Sequence, residues 1–572
     1  MKTPTYILGI NHTYHELSAA IIRDGILVSC IEEERLSRIK HGKDAQVDNP
    51  NILPIASIDY CLKSAGIQPK EIDCIGISFE PRQRLRNIDI DPYYEHHNWG
   101  SKMGEELFVE KLMQVPDLLS AHLEGYDKSN IKWIPHHICH AASAFFVSPY
   151  DEAAIICIDG IGEFASTWLG QGKGNNMSVL KEINYPNSLG FLWEKISKFL
   201  GFSDYDAAKV MGLSAYGNPD KFHHCFQQLL SLERDGTFSI NNDITRFRLE
   251  DFHSLEELFK VKKVNNLREI TSAHRDIAAG MQKITNDTML HLAKYIANAT
   301  KSTYLCLAGG VALNCVANHE ILKSKYFESI YIQPASNDAG TALGAAFQIW
   351  NSLMGNQRTY VMDHSYTSSE YGANDIEHVL RKEELHYNKI TNIEEVVAEL
   401  LAEGDYIIGW FQGKMEWGPR ALGNRSLLAD PRNAKMKDIL NLRIKKRESF
   451  RPFAPSVLEE YAQEWFKIPD CCDSISKQFM LFTFPVHEDK IPIIPAVVHV
   501  NNTSRVQLVN KRTNPRYYHL IAKFLEKTGV PMILNTSFND NEPIVCTPLD
   551  AVNTFKKTEM DYLVMDNFLV HR

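Results

Sequence analysis

Two histidines four residues apart, His136 and His140, are the side chains of this 572-residue chain best placed to do chemistry. They follow a predicted buried strand at 131–134 and precede a run of small residues, 141–144, that is typical of a packed helix. Positions i and i+4 lie on one face of a helix, so the two imidazoles can converge on one metal ion. The alternative for such a pair is a partly buried helix whose histidines bind no ligand.

Two carboxylates strengthen the metal interpretation. Asp159 begins an Asp-Gly-Ile-Gly-Glu turn and Asp338 lies in a Ser-Asn-Asp-Ala-Gly turn, and each turn comes at the end of an apolar run. Glycine allows tight turns and close approach of the backbone at such strand ends. The sequence therefore places two carboxylates where ligands are commonly positioned.

Composition bounds the class of protein. The hydrophobic and charged fractions, 44% and 23%, are ordinary for a globular chain, and the length indicates two to four domains. A net charge of −10 argues against a broad nucleic-acid-binding face. No apolar run approaches the roughly 20 residues that span a bilayer. Eleven cysteines without a Cys-x-x-Cys pair favour a reduced, cytoplasmic protein, and we expect neither nucleic acid nor membrane as a partner.

Three segments of the first 350 residues share one pattern of strand and glycine turn. A strand at 6–11 leads into a hairpin of 18–23 and 26–31, a second strand at 153–158 meets the Asp159 turn, and a third at 303–307 runs into Gly309-Gly310 and a helix. This order resembles the phosphate-binding hairpins and adenosine loop of the duplicated α/β fold of actin, sugar kinases and heat-shock chaperones. Helical apolar spacing predicts helices at 105–115, 273–299 and 342–353.

The second half carries basic clusters. We interpret 357–380 as a connector, followed by a helix at 393–402 and a strand at 406–411. A glycine-rich loop then holds Lys414, Arg420 and Arg425, and a second cluster spans 443–451. Forked guanidinium groups suit phosphate oxygens, whereas Arg443 and Lys445 fit a solvated helix face. With polar strand ends at 503–507 and 534–539, these segments predict a pocket for more than one anionic group.

The ordered motifs resemble those of the O-carbamoyltransferases of the nodulation-factor and cephamycin type over nearly the whole length. The matching segments are His15 with 18–20, 32–38 with Lys40 and His41, His136 with His140, 159–163, 209–213 with 216–217, 309–314, 338–340, 418–426 and 451–456. The chain departs from the family pattern at Glu16, where aspartate is usual, at Asn541, where glycine is usual, and at 204–208, a segment that bears on the identity of the acceptor.

The resemblance implies an α/β protein of two domains. Residues 1–358 would form a duplicated actin/sugar-kinase-like domain, similar to threonylcarbamoyl-transferase subunits, and 359–572 a YrdC-like α/β domain. The second domain would make carbamoyl adenylate from carbamoyl phosphate and ATP, with Mg²⁺ accompanying the nucleotide. The first would transfer the carbamoyl group to a hydroxyl of a small-molecule natural product such as an antibiotic, a toxin or a sugar.

The resemblance also suggests roles for individual residues. Two imidazoles and two carboxylates suit Fe²⁺, or Mn²⁺ or Zn²⁺, better than Mg²⁺. His15 is the candidate general base, with a histidine that only binds or packs as the alternative, and Lys209 is expected at the nucleotide phosphates. The predicted metal ligands are His136, His140, Asp159 and Asp338; the predicted nucleotide and phosphate contacts are Gly160, Gly162, Gly309, Gly310, Asn314, Arg420, Arg425, Lys446, Arg451, Arg505 and Asn535.

Three other functions remain open at this point. They are a tRNA threonylcarbamoyl synthase, a hydrogenase-maturation carbamoyltransferase and a non-enzymatic ATP-gated chaperone or regulator. The net charge disfavours the first, and the second family carries Cys-x-x-Cys fingers that this sequence lacks. The acidic stretches at 89–91 and 204–206 are candidates for attracting a cationic acceptor, and a homodimer is the expected assembly.

Overall fold

The computed structural model describes residues 3–86, 98–469 and 474–572, so the acidic stretch at 89–91 lies outside the described residues. The chain divides into two compact units, the first ending at Met362 and the second beginning at Asp363. Among the described residues, none of the helices has the length and apolarity needed to cross a bilayer.

The first unit contains two five-stranded sheets and a small hairpin. Its strands are β1 (Tyr6–Asn11), β2 (Ser18–Arg23), β3 (Ile26–Glu32), β4 (Cys74–Ile77), β5 (Ile131–Trp133), β6 (Glu152–Ile158), β7 (Ala165–Lys173), β8 (Asn176–Asn184), β9 (Leu230–Leu232), β10 (Phe238–Ile240), β11 (Tyr304–Ala308) and β12 (Ser329–Ile332). The orders are β3-β2-β1-β4-β5 and β8-β7-β6-β11-β12, with β9 and β10 paired separately.

The two large sheets repeat one topology. In each, the first strand pairs antiparallel with the second and the second with the third, and the first pairs parallel with the fourth, next to a parallel fifth. The central strands β1 and β6 are buried nearly throughout, which explains their continuous apolar sequences. The first unit is therefore duplicated internally, as the resemblance predicted.

Helices cover these sheets and pack closely at two points. They are α1 (Glu33–Ser37), α2 (Ile55–Ala65), α3 (Pro81–Arg86), α4 (Lys102–Met113), α5 (Val115–His122), α6 (His136–Phe145), α7 (Leu189–Phe199), α8 (Ala207–Ser214), α9 (His223–Leu229), α10 (Asn242–Thr245), α11 (His253–Phe259), α12 (Ser272–Thr300), α13 (Cys315–Ser324) and α14 (Ala339–Phe347). A Cβ atom on Gly344 of α14 would lie 1.8 Å from the Cys139 oxygen of α6, so only glycine permits this contact. A Cβ on Gly9 of β1 would lie equally close to the Ala342 oxygen.

The second unit is built on an eight-stranded mixed sheet. The strands of this unit, eight in the sheet and two in a separate pair, are β13 (Tyr387–Lys389), β14 (Ile408–Phe411), β15 (Arg425–Ala429), β16 (Ala454–Leu458), β17 (Thr483–Pro485), β18 (Thr503–Arg505), β19 (Gln507–Val509), β20 (Met532–Ser537), β21 (Tyr562–Met565) and β22 (Phe568–His571). The sheet order is β13-β22-β21-β14-β15-β20-β16-β19, and β17 pairs with β18. The helices are α15 (Ala373–Lys382), α16 (Ile393–Ala402), α17 (Met436–Leu440), α18 (Ala462–Trp465), α19 (Pro515–Thr528) and α20 (Pro548–Lys557).

The mixed α/β class is confirmed, and most predicted elements lie within a few residues of the observed ones. The strands at 6–11 and 18–23 and the helix at 393–402 have the predicted bounds. The predicted helix at 342–353 begins three residues earlier, at Ala339, and its last turn is a π-helix. The predicted connector at 357–380 was wrong in its second half, because α15 begins at Ala373 after a Gly372 cap whose N–H bonds the Asp375 carboxylate.

Candidate functional site

Four side chains from distant parts of the first unit converge on one point. The Nε2 atoms of His136 and His140 lie 3.1 Å apart, and each lies 3.3 Å from Oδ2 of Asp159 and 3.6 Å from Oδ1 of Asp338. All four ligand atoms lie within 4.8 Å of one another, and all four residues are buried. The predicted metal ligands are thus brought together as a set of two nitrogens and two oxygens.

Local structure explains this convergence. His136 opens α6, which puts His140 one turn further along the same face. Asp159 directly follows β6, and Asp338 directly precedes α14. Oε1 of Glu163 accepts the His136 backbone N–H at 2.9 Å and the Glu80 N–H at 2.8 Å, which fixes the start of α6. The ligands are therefore held at the ends of regular elements.

The donor chemistry fits a divalent transition metal. His136 Nδ1 lies 3.3 Å from the Ser78 carbonyl oxygen, so Nδ1–H donates there and the Nε2 lone pair faces the cluster. Burial lowers the pKa of His136, but Asp338 and Asp159 outweigh it and raise that pKa well above its usual range. Burial raises the pKa of Asp159, but the hydrogen bonds and charges of His136 and His140 outweigh it and hold that pKa well below its usual range. The cluster is a buried concentration of negative charge and lone pairs that favours a cation.

Glycines shape the turns around Asp159. Gly309 has φ +88°, and a Cβ there would lie 2.2 Å from the Ile158 oxygen, so the position requires glycine. Gly310 N–H donates to Asp159 Oδ1 at 3.0 Å, which orients the carboxylate. A Cβ on Gly160 or Gly162 would meet Phe191 or His137, respectively. The glycines thus fit closely around the cluster, and their predicted nucleotide contacts stay predictions.

Two other predicted residues of the first unit have protein partners. Asn314 caps α13 through the Ala317 N–H at 3.0 Å and exchanges two hydrogen bonds with Gln282. Lys209 Nζ lies 3.0 Å from Oδ2 of Asp206. Asp204 is paired likewise with Lys198, at 2.7 Å. The charge of the acidic stretch at 204–206 is therefore balanced locally, which weakens its suggested role in attracting a cationic acceptor.

The loop after β1 borders the cluster and contains the candidate base His15. The ring of Tyr14 lies edge-on to the His136 ring at 6.4 Å, and its hydroxyl donates to the Gly162 oxygen. His15 Nδ1 is buried and has no hydrogen-bond partner among the described residues, and the ring packs edge-on against Tyr205 at 5.3 Å. His15 thus directly follows a residue that contacts a metal ligand, and its role as a base stays a prediction.

In the second unit, three arginines gather. Burial, and after it the neighbouring guanidinium groups of Arg451 and Arg505, together lower the pKa of Arg447 to about 9, against Glu448. Arg447 also stacks on the Phe453 ring, with Cζ 4.6 Å from the centroid, and its Nε donates to Asn441 Oδ1. Half-buried like charges near enough to influence one another are typical of an anion-binding site. Arg451 and Arg505 were predicted here, whereas Arg447 was not given a role.

The structure gives Arg425 protein partners, and its predicted phosphate contact stays a prediction. Its side chain is fully buried, and its guanidinium donates to the carbonyl oxygens of Ser369, Gln412, Gly413 and Asn424. Its Cζ also lies 3.7 Å from the Phe411 ring centroid. Because these carbonyls take up both terminal nitrogens, Arg425 organises the loop. The Glu416 carboxylate supports the same loop by accepting the N–H groups of Leu422, Asn424 and Arg425.

Arg425→Ala should accordingly reduce stability. We expect the free energy of unfolding to fall by about 3 kcal/mol or more, because several buried carbonyl groups lose their donor. Urea unfolding of the variant measures this directly. A variant as stable as the wild type would contradict the structural role.

Other predicted residues of this unit have mixed outcomes. The prediction that Lys445 lies on a solvated helix face was wrong. Lys445 is buried, and its Nζ donates to the backbone oxygens of Ser537 and Asn539. Lys446 is exposed, in a left-handed conformation after a π-turn, and its phosphate contact stays a prediction. Asn535 is buried, and its amide donates to Ser456 Oγ, Gln507 Oε1 and the Ala421 oxygen, which indicates a structural network. Arg420 lies half-buried on the glycine-rich loop.

One carboxyl group near the metal ligands was missed. Burial, with a smaller contribution from the charges of Asp159 and Asp338, raises the pKa of Glu194 to about 8 against the opposing charge of Lys198. A Cβ on Gly160 would lie 3.9 Å from Oε1 of Glu194. This residue lies on the amphipathic helix α7, where a glutamate reads as a surface residue, so only the fold reveals that it faces the cluster.

Comparison with known proteins assigns the family. Residues 6–347 match the family described as carbamoyltransferase N-terminus, and 398–572 match carbamoyltransferase C-terminus. The chain is 38% identical to the nodulation protein NolNO of Sinorhizobium fredii, over 98% of this chain and 80% of the relative. It is 37% identical to protein sll1178 of Synechocystis, over 99% of this chain and 96% of the relative.

More distant similarity extends to other proteins. Nodulation protein U of Rhizobium tropici is 26% identical over 93% of this chain and 90% of its own. Among solved structures, full-length HypF aligns with 62% of this chain and 56% of its own at 12% identity and a TM-score of 0.34, too distant to support a functional argument. Both domain matches, in order and together spanning most of the chain, show that the protein is an enzyme of the carbamoyltransferase family.

Proposed function

We propose that the protein is an ATP-dependent O-carbamoyltransferase with two half-reactions. The second unit makes carbamoyl adenylate from carbamoyl phosphate and ATP, releasing pyrophosphate. The first unit transfers the carbamoyl group to a hydroxyl of a small molecule. The observation that carries the proposal is the convergence of four buried ligand atoms within 4.8 Å in the first unit of a carbamoyltransferase-family chain.

His136, His140, Asp159 and Asp338 would hold a divalent metal, with Fe²⁺ as the first candidate. Bound there, the metal would supply Lewis acidity toward the phosphate and carbonyl oxygens of the adenylate. The surrounding chain keeps the ligands in place, because Ser78 orients His136 and Gly310 orients Asp159. Gly160, Gly162 and Gly309 are proposed to border the nucleotide.

The arginine group of the second unit supports the adenylate-forming step. Arg447, Arg451 and Arg505 would bind the phosphate oxygens of carbamoyl phosphate and ATP, because forked guanidinium donors match that geometry. A YrdC-like identity for this unit, and an actin/sugar-kinase-like identity for the duplicated first unit, are parts of the same proposal. Mg²⁺ is expected only as the companion of ATP.

Pyrophosphate release that depends on carbamoyl phosphate tests the first half-reaction. We expect the purified protein with Mg²⁺ and ATP to release pyrophosphate only when carbamoyl phosphate is present. Release that instead requires threonine and bicarbonate would favour the tRNA-modification alternative. ATP hydrolysis indifferent to carbamoyl phosphate would favour a chaperone-like regulator and contradict the proposal.

The acceptor is proposed to be a small molecule rather than a nucleic acid, in keeping with the net charge of −10. A screen of hydroxylated compounds for a mass increase equal to one carbamoyl group identifies it. Polyols, amino sugars and oligosaccharides form a suitable first panel, because each offers many hydroxyls in different geometries. Detection of carbamoylated tRNA in the same screen would contradict this part of the proposal.

A further inference from the structure

A histidine–carboxylate pair of the first unit, His41 and Glu16, has no role in the scheme above. His41 Nδ1 lies 2.7 Å from Oε1 of Glu16, and the side chains are 26% and 15% exposed. Because carboxylate oxygens only accept, the imidazole donates Nδ1–H to Glu16 and its Nε2 carries the lone pair. This is the arrangement by which a carboxylate orients a histidine for proton transfer.

The backbone of both residues is strained into this contact. Glu16 has φ +53° and His41 has φ +61°, a region that non-glycine residues rarely occupy. Asn11 Nδ2 donates to the backbone carbonyl oxygen of Glu16 at 2.9 Å, and the backbone N–H of His41 donates to Glu34 Oε2 at 2.9 Å. Neither residue caps a helix, unlike Lys301 or Lys325. Conformations of this kind cluster at functional sites, where the surrounding structure maintains them.

Contacts of neighbouring residues link the pair to the metal ligands, and the charge of Asp338 acts on Glu16. Glu16 belongs to the loop whose Tyr14 packs on His136, and the nearby Ser18 hydroxyl donates to the oxygen of Ala339, the residue after Asp338. The Tyr205 ring stacks on His41 with centroids 4.3 Å apart and meets His15 edge-on. The rings of His41, Tyr205 and His15 therefore form one packed group.

We infer that His41, oriented by Glu16, is the base that takes the proton from the acceptor hydroxyl. The inference rests on the proposed function. The hydroxyl oxygen forms a bond to the carbamoyl carbon of the adenylate, the bond from that carbon to the phosphate oxygen breaks, and AMP leaves with the electron pair. The hydroxyl proton passes to His41 Nε2. Glu16 is a positioning residue, and His15 becomes a neighbouring binding or packing residue.

The charged neighbours of His41 give the pH dependence its sign. Burial and Lys40 lower the pKa of His41, whereas Glu16 and Glu34 raise it, with a net upward shift from 6.5. His15 and Asp338 act on Glu16 from the other side. A base works only when unprotonated, so transfer is present above the His41 pKa and is lost as pH falls through it. The acidic limb of the pH–rate profile for transfer, where the rate falls as His41 becomes protonated, should therefore lie above pH 6.5.

The test compares pH profiles of transfer for the full-length enzyme, with glycerol in excess as the hydroxyl probe unless the screen supplies a better acceptor. We expect His41→Asn to slow transfer by about 100-fold or more and to remove the acidic limb, with pyrophosphate release unchanged. Glu16→Gln should move the limb to lower pH, because the carboxylate that raises the pKa is gone. His15→Asn should keep the limb.

The matched control is a surface pair of the same length. His122 Nε2 lies 2.7 Å from Asp59 Oδ1, so Asp59→Asn removes an equivalent interaction and should leave the profile unchanged. A limb that persists in His41→Asn, or that vanishes in His15→Asn alone, would overturn the inference. Should His41→Asn fail to fold, an unshifted limb in Glu16→Gln would overturn it as well. Loss of carbamoyl-phosphate-dependent pyrophosphate release in the wild type would count against the proposed function instead.

Discussion

His140→Ala and His136→Ala should each lose the bound metal and the transfer of the carbamoyl group while retaining pyrophosphate release. Mutation of residues that only support metal ligands typically lowers metal affinity by about 10- to 100-fold. Removal of a ligand itself should therefore lower metal affinity by at least about 100-fold. Elemental analysis after dialysis should show about one divalent metal per wild-type chain and almost none in either variant.

His137→Ala is the matched control for this experiment. His137 lies on the same helix and is equally buried, but burial lowers its pKa to about 3 and it lies outside the ligand set. Its variant should retain the metal. Unchanged metal in both ligand variants, or a loss confined to the His137 variant, would remove the basis for the metal centre.

Arg451→Ala and Arg447→Ala should stop the first half-reaction while leaving the metal in place. A buried phosphate that loses one partner of a charged pair is destabilised by about 2–5 kcal/mol, which corresponds to about a 30- to 5,000-fold loss. Pyrophosphate release at subsaturating carbamoyl phosphate measures the effect.

Arg443→Ala provides the comparison, because the Arg443 guanidinium in the same segment lies 2.7 Å from Asp561 and is already paired. It should release pyrophosphate at nearly the wild-type rate. Equal losses in all three arginine variants, with the proteins still folded, would show that general basicity rather than a defined phosphate site matters.

Local patterns in the sequence predicted the strands of the first unit and the ligand set. Continuous apolar runs identified β1 and β6, and helical spacing paired His136 with His140. The two aspartates were recognisable because each sits in a glycine turn at a strand end. Their distance from each other could not be read from spacing, since it depends on how two separate sheets meet their helices.

The roles of the basic residues were less predictable. Arg425 and Arg451 both lie in glycine- or proline-rich loops, yet only the fold shows that four backbone oxygens surround Arg425. Lys445 looked solvated because its partners, at 537 and 539, come from a strand end about 90 residues away. Likewise, the contact between Glu16 and His41 depends on backbone angles that residue type does not reveal.

The repeated topology of the first unit has a consequence for the choice of ligands. Helix α6 follows β5, and α14 follows β12, so the two helices occupy corresponding places after the last strand of each sheet, and each begins at a ligand. A symmetric pair of identical chains would present the same donor twice. Because the halves are joined in one polypeptide, they have diverged, and one contributes imidazoles while the other contributes carboxylates. The two halves of the unit thus supply different donors to one site, as the two subunits of a heterodimer would.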